Sequence, residues 1–227
     1  SAMLGADVRA DVDPLNATNF HTAHLFGVFV AQGLEAPTKT VPYLLQGGLG
    51  MPERDYYLSA DKESVATRAA YRDYVTRIFA LAGMSDPAAR ADRVIALETN
   101  IATAHLDNVA AQDVHKANNP WQRADFDTKA PGIDWAAFFG AAQLGSQQLF
   151  IVWMPDATAR LSALVASEPL ASWQDCLAFH HIDAVAAVLP GAFDQASFDF
   201  YGKTLSGTRQ QRPRDKRALA SVNANLG

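Results

Sequence analysis

The chain has 227 residues and a mass of 24.5 kDa, long for one domain and short for two. Hydrophobic residues at 49% and charged residues at 19% exclude a disordered tail or a collagen-like repeat. Nineteen Lys and Arg against 24 Asp and Glu leave a net charge of −5, which excludes a general nucleic-acid binder, and the single cysteine, Cys176, excludes an internal disulfide.

Taken in chain order, Asn16 to Phe20 offers polar caps for a short helix running to Leu25. The stretch 25–32 and the stretch 41–46 are rich in β-branched and aromatic residues, with turn residues over 33–40, and predict an antiparallel β-hairpin over 25–46. Pro42 falls near the start of its strand, where a missing N–H is tolerated. A glycine-rich turn follows from Gln46 to Pro52. Its Met51-Pro52-Glu53 ending lacks the lysine and hydroxyl that a phosphate-binding loop needs.

From Ser64 the period becomes helical. Tyr71, Tyr74, Val75, Ile78 and Phe79 recur at steps of three and four, and Gly83 supplies the stop. Asp86-Pro87 reads as the cap and first residue of a second long helix through Val94, Leu97, Ile101 and His105, and Asn118 to Pro120 closes that region. Asp134 caps a short helix carrying Trp135, Phe138 and Phe139. Residues 149–153 are strand-like, and Pro155 opens a helix to about Ala166. Pro169 opens another through Leu177 and His181 to Leu189. Phe193, Phe198 and Leu205 follow Gly191, and a last helix covers 216–225. The fold class is therefore mainly α: one helical domain over 1–227, with a hairpin at 25–46 and a helical body over 64–227. No fixed-period repeat argues for a solenoid, and no apolar run is long enough to cross a bilayer.

Candidate chemistry is sparse. None of His21, His24, His105, His115, His180 and His181 stands in an H-E-x-x-H pattern, which places two imidazoles and a base on one helical face. His180 and His181 project about 100° apart on a helix and cannot chelate one ion together. A metalloenzyme built on either would hold stoichiometric zinc. No G-x-S-x-G elbow occurs, and mid-helix Cys176 reads as an inert buried thiol. Glu98 sits on an apolar stripe beside Leu97 and Ile101. It reads either as a carboxyl of raised pKa or, more commonly, as an ion pair with Arg54, Arg68, Arg72 or Arg93. The basic cluster Arg209, Arg212, Arg214, Lys216 and Arg217 reads as a solvated loop and helix start.

The segment from Gly48 to Tyr57, GLGMPERDYY, resembles the G-L-G-x-P-x-R-D-Y-Y signature of the neprilysin-type zinc metallopeptidases. Weaker likenesses follow in the family's order: Tyr71 with Tyr74, Leu97-Glu98, Asn119-Pro120, Ile133 to Trp135, Pro155, Phe198 with Phe200, Leu205 to Gly207, and the stretch from Arg217 to Gly227. From about Asn16 onward the chain is in register with the family's N-terminal half. The resemblance implies a segment of the helical cap of a peptidase whose zinc ligands, an H-E-x-x-H helix and a downstream glutamate, lie C-terminal to it. It implies no cofactor in this segment, zinc in the whole parent, oligopeptide substrates, the parent's catalytic domain as partner and an extracytoplasmic location. It also implies a structural role for Gly48, Gly50, Pro52, Arg54, Asp55, Tyr56 and Tyr57. Ala218 stands where animal relatives have a cysteine, which suggests a bacterial member in which the sequon at Asn16 goes unused. The exposed docking face of such a cap is expected to favour self-association. The alternative reading is an independent helical binding module that kept the cap fold without an enzyme.

Overall fold

The computed structural model describes residues 24–34 and 38–226. The expected helix at 16–25, with His21 and the Asn16 sequon, lies outside them except at its last residues.

Strands β1 (Phe26–Gln32) and β2 (Thr40–Gln46) form the expected antiparallel hairpin, with Phe26 opposite Gln46 and Val30 opposite Pro42. The hairpin does not stand alone. β2 pairs in parallel with β4 (Leu149–Val152), and β4 pairs antiparallel with β3 (Pro120–Gln122), giving a four-stranded mixed sheet of order β1-β2-β4-β3. The strand-like run at 149–153 is thus β4, while β3 and the joining of both strands to the hairpin lie outside the sequence expectation. Period-two alternation divides the strand side chains between two cores. Leu44, Phe150 and Val152 enter the main core, while Val41, Tyr43, Leu45 and Ile151 enter a smaller cluster with Ala117, Trp153, Met154 and Ala157. Both faces of β2 are therefore covered, and its six residues from Val41 onward are all buried.

The helices in chain order are α1 (Asp55–Leu58), α2 (Lys62–Leu81), α3 (Pro87–Ala104), α4 (Asn108–Ala111), α5 (Val114–Ala117), α6 (Phe126–Lys129), α7 (Trp135–Ala141), α8 (Pro155–Ser167), α9 (Leu170–Ala184), α10 (Gly191–Ser197) and α11 (Arg214–Leu226). The protein is mainly α. α2 begins two residues before the periodic run because the Asp61 carboxylate accepts from Ser64 N. Asp134 caps α7 through Ala137 N, as expected. Asp86 does not cap α3 with its side chain; it turns the chain in a left-handed conformation, φ 52°, ahead of Pro87. α9 stops at Ala184 rather than Leu189, and Pro169 is the residue before the helix rather than its first turn.

The largest departure is a π-helix over Phe198–Leu205, continuous with α10. The wider coil lets Thr204 Oγ1 and Ser206 Oγ reach back five residues, to the carbonyls of Asp199 and Tyr201. Gly202 is required in it, since a Cβ there would enter the Phe198 ring. Such segments often lie at functional positions. α2, α3 and α9 pack together and supply Tyr71, Val75, Ile78 and Phe79, then Ala91, Val94, Leu97 and Ile101, then Cys176 and Phe179 to the main core. A second block of it is aromatic, with Phe126, Trp135, Phe139 and Phe150 in edge-to-face and stacked contact.

Candidate functional site

The loop between β2 and α1 carries the signature residues and crosses over α3. Its entrance is latched to the C-terminal end of that helix. The Gln46 amide donates to Leu106 O and accepts from Leu106 N, at 3.1 and 2.9 Å, and His105 Nε2 lies 2.8 Å from Gly47 O. Arg54 Nη1 donates to His105 O at 3.1 Å, so one carbonyl just beyond α3 gains a charged donor.

Two glycines are needed by the geometry. Gly48 has φ 90°, and a Cβ there would press on the Leu25 backbone at 3.2 Å. Gly50 passes over the hydroxyl of Tyr71 so closely that a Cβ would overlap it and lie 2.8 Å from Tyr71 Cζ and 3.3 Å from His180 Cε1. Pro52 and Asp55 are exposed, and Arg54 and Tyr56 are half-buried. Tyr56 O accepts from Arg68 Nη1 at 2.8 Å, and Tyr57 is buried, with its hydroxyl accepting from Met51 N at 2.9 Å.

Beneath the loop sits Glu98, with no exposed surface. Tyr57 Oη donates to its Oε2 at 2.6 Å, Tyr71 Oη donates to its Oε1 at 3.2 Å, and His180 Nε2 lies 2.8 Å from Oε1. The arginine expectation is thereby corrected: Arg54 and Arg68 bind backbone carbonyls, Arg72 pairs with Asp92, and Arg93 pairs with Asp175. Arginine heads on half-exposed stems stay near water, whereas tyrosines deliver short donors into an apolar interior. Burial pushes the Tyr57 and Tyr71 hydroxyls well above the usual tyrosine range, and the Glu98 charge pushes them further. Burial works against a charged His180, yet Cys176 and Glu98 outweigh it and hold the ring well above the ordinary histidine range.

A second carboxylate continues the network. Asp183 accepts from the Tyr74 hydroxyl and, at 2.9 Å, from Tyr201 Oη, while the same Tyr201 hydroxyl lies 3.3 Å from Gly50 O. Burial lifts the Asp183 carboxyl above its usual value, and the bonds from Tyr74 and Tyr201 partly offset this. The π-helix places Tyr201 where it meets both the loop and α9. Sequence reasoning missed His180 and the four tyrosines as partners of these acids. The available signal was the coincidence of Tyr71, Tyr74 and Glu98 on the buried stripes of neighbouring helices.

Nothing in this arrangement resembles a peptide-cleaving centre. The sequence contains no H-E-x-x-H, and the Glu98 group lies buried under the loop. The buried group of Glu98, Tyr57, Tyr71 and His180 therefore does not fit the catalytic zinc of a metallopeptidase, which keeps a position open to substrate.

A helical body topped by a small mixed sheet, with a G-L-G-x-P-x-R-D-Y-Y loop pinned over a buried carboxylate, defines the N-terminal segment of a neprilysin-type metallopeptidase. The profile of the N-terminal part of peptidase family M13 matches residues 7–227, and the chain belongs to that family. It is 23% identical over 218 residues to human endothelin-converting enzyme 1, covering 92% of this chain and 28% of that protein. It is similar to the open state of the Mycobacterium tuberculosis zinc metalloprotease Zmp1, with a TM-score of 0.85 and 31% identity over 96% of this chain and 33% of that one. PepO of Lactobacillus rhamnosis shares the fold, at a TM-score of 0.74, 18% identity, and coverage of 95% of this chain and 34% of PepO. The chain thus spans about a third or less of the length of the relatives it matches.

Proposed function

We propose that this segment is the non-catalytic cap of a zinc metalloendopeptidase, a wall that limits access to a zinc site supplied by residues beyond those present here. The observation that carries the reading is a pairing: a close structural match to one third of a zinc metalloprotease, in a sequence with no metal-binding H-E-x-x-H. Oligopeptides are the substrates that a walled cleft admits, and folded proteins are those it refuses. The parent's catalytic domain is the partner, the parent's location is extracytoplasmic, and residues 1–227 act as one unit of it.

Gly48, Gly50, Pro52, Arg54, Asp55, Tyr56 and Tyr57 serve the wall as structure. Glycines give the loop its close approach, and Arg54 and Tyr57 fasten it to α3. Val109, Leu170 and Val188 are large apolar side chains left exposed, and they offer candidate contacts for the catalytic domain or a second copy.

The test compares the 227-residue chain with the full polypeptide obtained by reading the frame beyond Gly227. The frame is expected to encode H-E-x-x-H. The full polypeptide is expected to cleave fluorogenic oligopeptides and spare folded proteins, and the 227-residue chain to cleave neither. Peptide cleavage by the purified 227-residue chain would refute the assignment.

A further inference from the structure

Cys176 and His180 lie four residues apart on α9 and so share one face of it. α3 presents Glu98 to the same face. The thiol, an imidazole nitrogen and a carboxylate oxygen all fall within 4.8 Å of one another, and all three residues are buried. We propose that Cys176, His180 and Glu98 form a buried structural site for one zinc-type divalent cation, which ties α9 to α3 beneath the signature loop. The proposal does not rest on the cap reading, because every donor belongs to this chain.

The donor set suits the ion. Thiolate, imidazole and carboxylate are the three side-chain ligands of protein zinc, and a sulfur donor disfavours calcium and magnesium. Charge balance favours it too. A dication with one thiolate, one carboxylate and a neutral imidazole sums to zero, which is what an interior walled by the Tyr71 and Phe179 rings demands.

The geometry is close to what coordination needs. Tyr57 takes Oε2 of Glu98, which leaves Oε1 turned toward His180. His180 Nε2 lies 2.8 Å from Oε1, so two of the three donor atoms already face each other. Tetrahedral zinc, with bonds of about 2.0–2.3 Å, holds nitrogen and oxygen donors about 3.3 Å apart and a sulfur about 3.5 Å from either. The nitrogen and oxygen, 2.8 Å apart, must then separate by roughly 0.5 Å, a movement that side-chain rotation supplies. The Tyr71 hydroxyl, 3.2 Å from Oε1, stands nearest to complete the set.

Because the site is buried, metal should enter during folding rather than by soaking. The 227-residue chain and Cys176→Ser are unfolded in guanidinium with reductant, refolded with one equivalent of Co²⁺, and dialysed. The original chain is expected to show near-ultraviolet thiolate-to-cobalt absorption with visible bands of tetrahedral intensity, and to retain about one zinc per chain after parallel refolding with Zn²⁺. Cys176→Ser should lose the near-ultraviolet band and at least tenfold in zinc retention while keeping its circular dichroism. His180→Gln, read by the same spectra, guards against an effect peculiar to the thiol. A refolded original chain without the thiolate band, or equal zinc retained by Cys176→Ser, overturns the proposal.

Discussion

Replacing Gly50 by alanine tests the loop's seat over the buried network. The backbone there is not left-handed, so the substitution carries no conformational penalty of its own, and the whole effect is contact. The new methyl group would overlap the Tyr71 hydroxyl and stand 2.8 Å from Cζ. Tyr71 cannot yield freely: it has no exposed surface, its hydroxyl binds Glu98, and its ring packs on Tyr57, Phe179 and Phe200. Overpacking costs about 1–3 kcal/mol, and a displaced hydrogen bond to a charged group costs about 1.5–3 kcal/mol. The expected loss is therefore about 3–5 kcal/mol, lowering Tm by roughly 10 °C for a chain of this length. Urea unfolding followed by circular dichroism measures it, with an unchanged slope required for the midpoint to be read as stability. Gly140→Ala is the control. That position lies in α7 with nothing within 4 Å of its Cβ, so alanine should stabilise by about 0.5–1 kcal/mol. Adding Tyr71→Phe to Gly50→Ala should recover part of the loss, because the overlapping oxygen is gone. A Gly50→Ala loss below about 1 kcal/mol would show that Tyr71 moves aside at little cost, and the rigid seat would be wrong.

Three further outcomes are expected. Asp175, 2% exposed between Arg90 and Arg93, should cost about 3–5 kcal/mol on replacement by alanine, whereas Asp92→Ala at the exposed Arg72 pair should cost under about 1 kcal/mol; equal losses in urea would contradict the difference in burial. Tyr57→Phe should cost about 1.5–3 kcal/mol, because its hydroxyl gives Glu98 its shortest bond, and a neutral result in the same assay would remove Tyr57 from the network. For pH, Asp183 has a raised folded-state pKa, so its ionisation penalises the fold above that pKa and the penalty fades as pH falls toward the unfolded value of 3.8. The original chain should therefore gain stability relative to Asp183→Asn as pH drops from 7 toward 4. Exposed Asp92 and half-buried Asp125 and Asp199, lowered by their lysine, arginine and backbone donors, act in the opposite sense but cancel in that difference.

Elements whose signal is local were legible. Tyr71, Tyr74, Val75, Ile78 and Phe79 announce α2 through a repeat the helix itself imposes, and all five are buried. The hairpin was readable because strands 26–32 and 40–46 lie close in sequence. β4 was readable as the strand-like run 149–153, but β3 was not, since it is three residues long and begins with proline, and its pairing with β4 joins segments nearly thirty residues apart. The π-helix was hidden for another reason: Phe198, Phe200 and Leu205 fit no single period, and one widened turn depends on packing around Gly202. At the site, the loop was legible from its motif, but the partner of Glu98 was not. Residues 98 and 180 are brought together by the crossing of α3 and α9, which no spacing along the chain encodes.

That crossing bears on how the signature loop can move. A loop held only by surface contacts would open locally at little cost. Here the loop's own Tyr57 and the carbonyl of Gly50 engage groups that belong to α2, α3, α9 and the π-helix at once, through Glu98, Tyr71, Asp183 and Tyr201. Lifting the loop would leave Glu98 in the interior without its shortest bond, and stranding a buried charge costs several times what a surface contact supplies. The loop and the three-helix body therefore move as one piece.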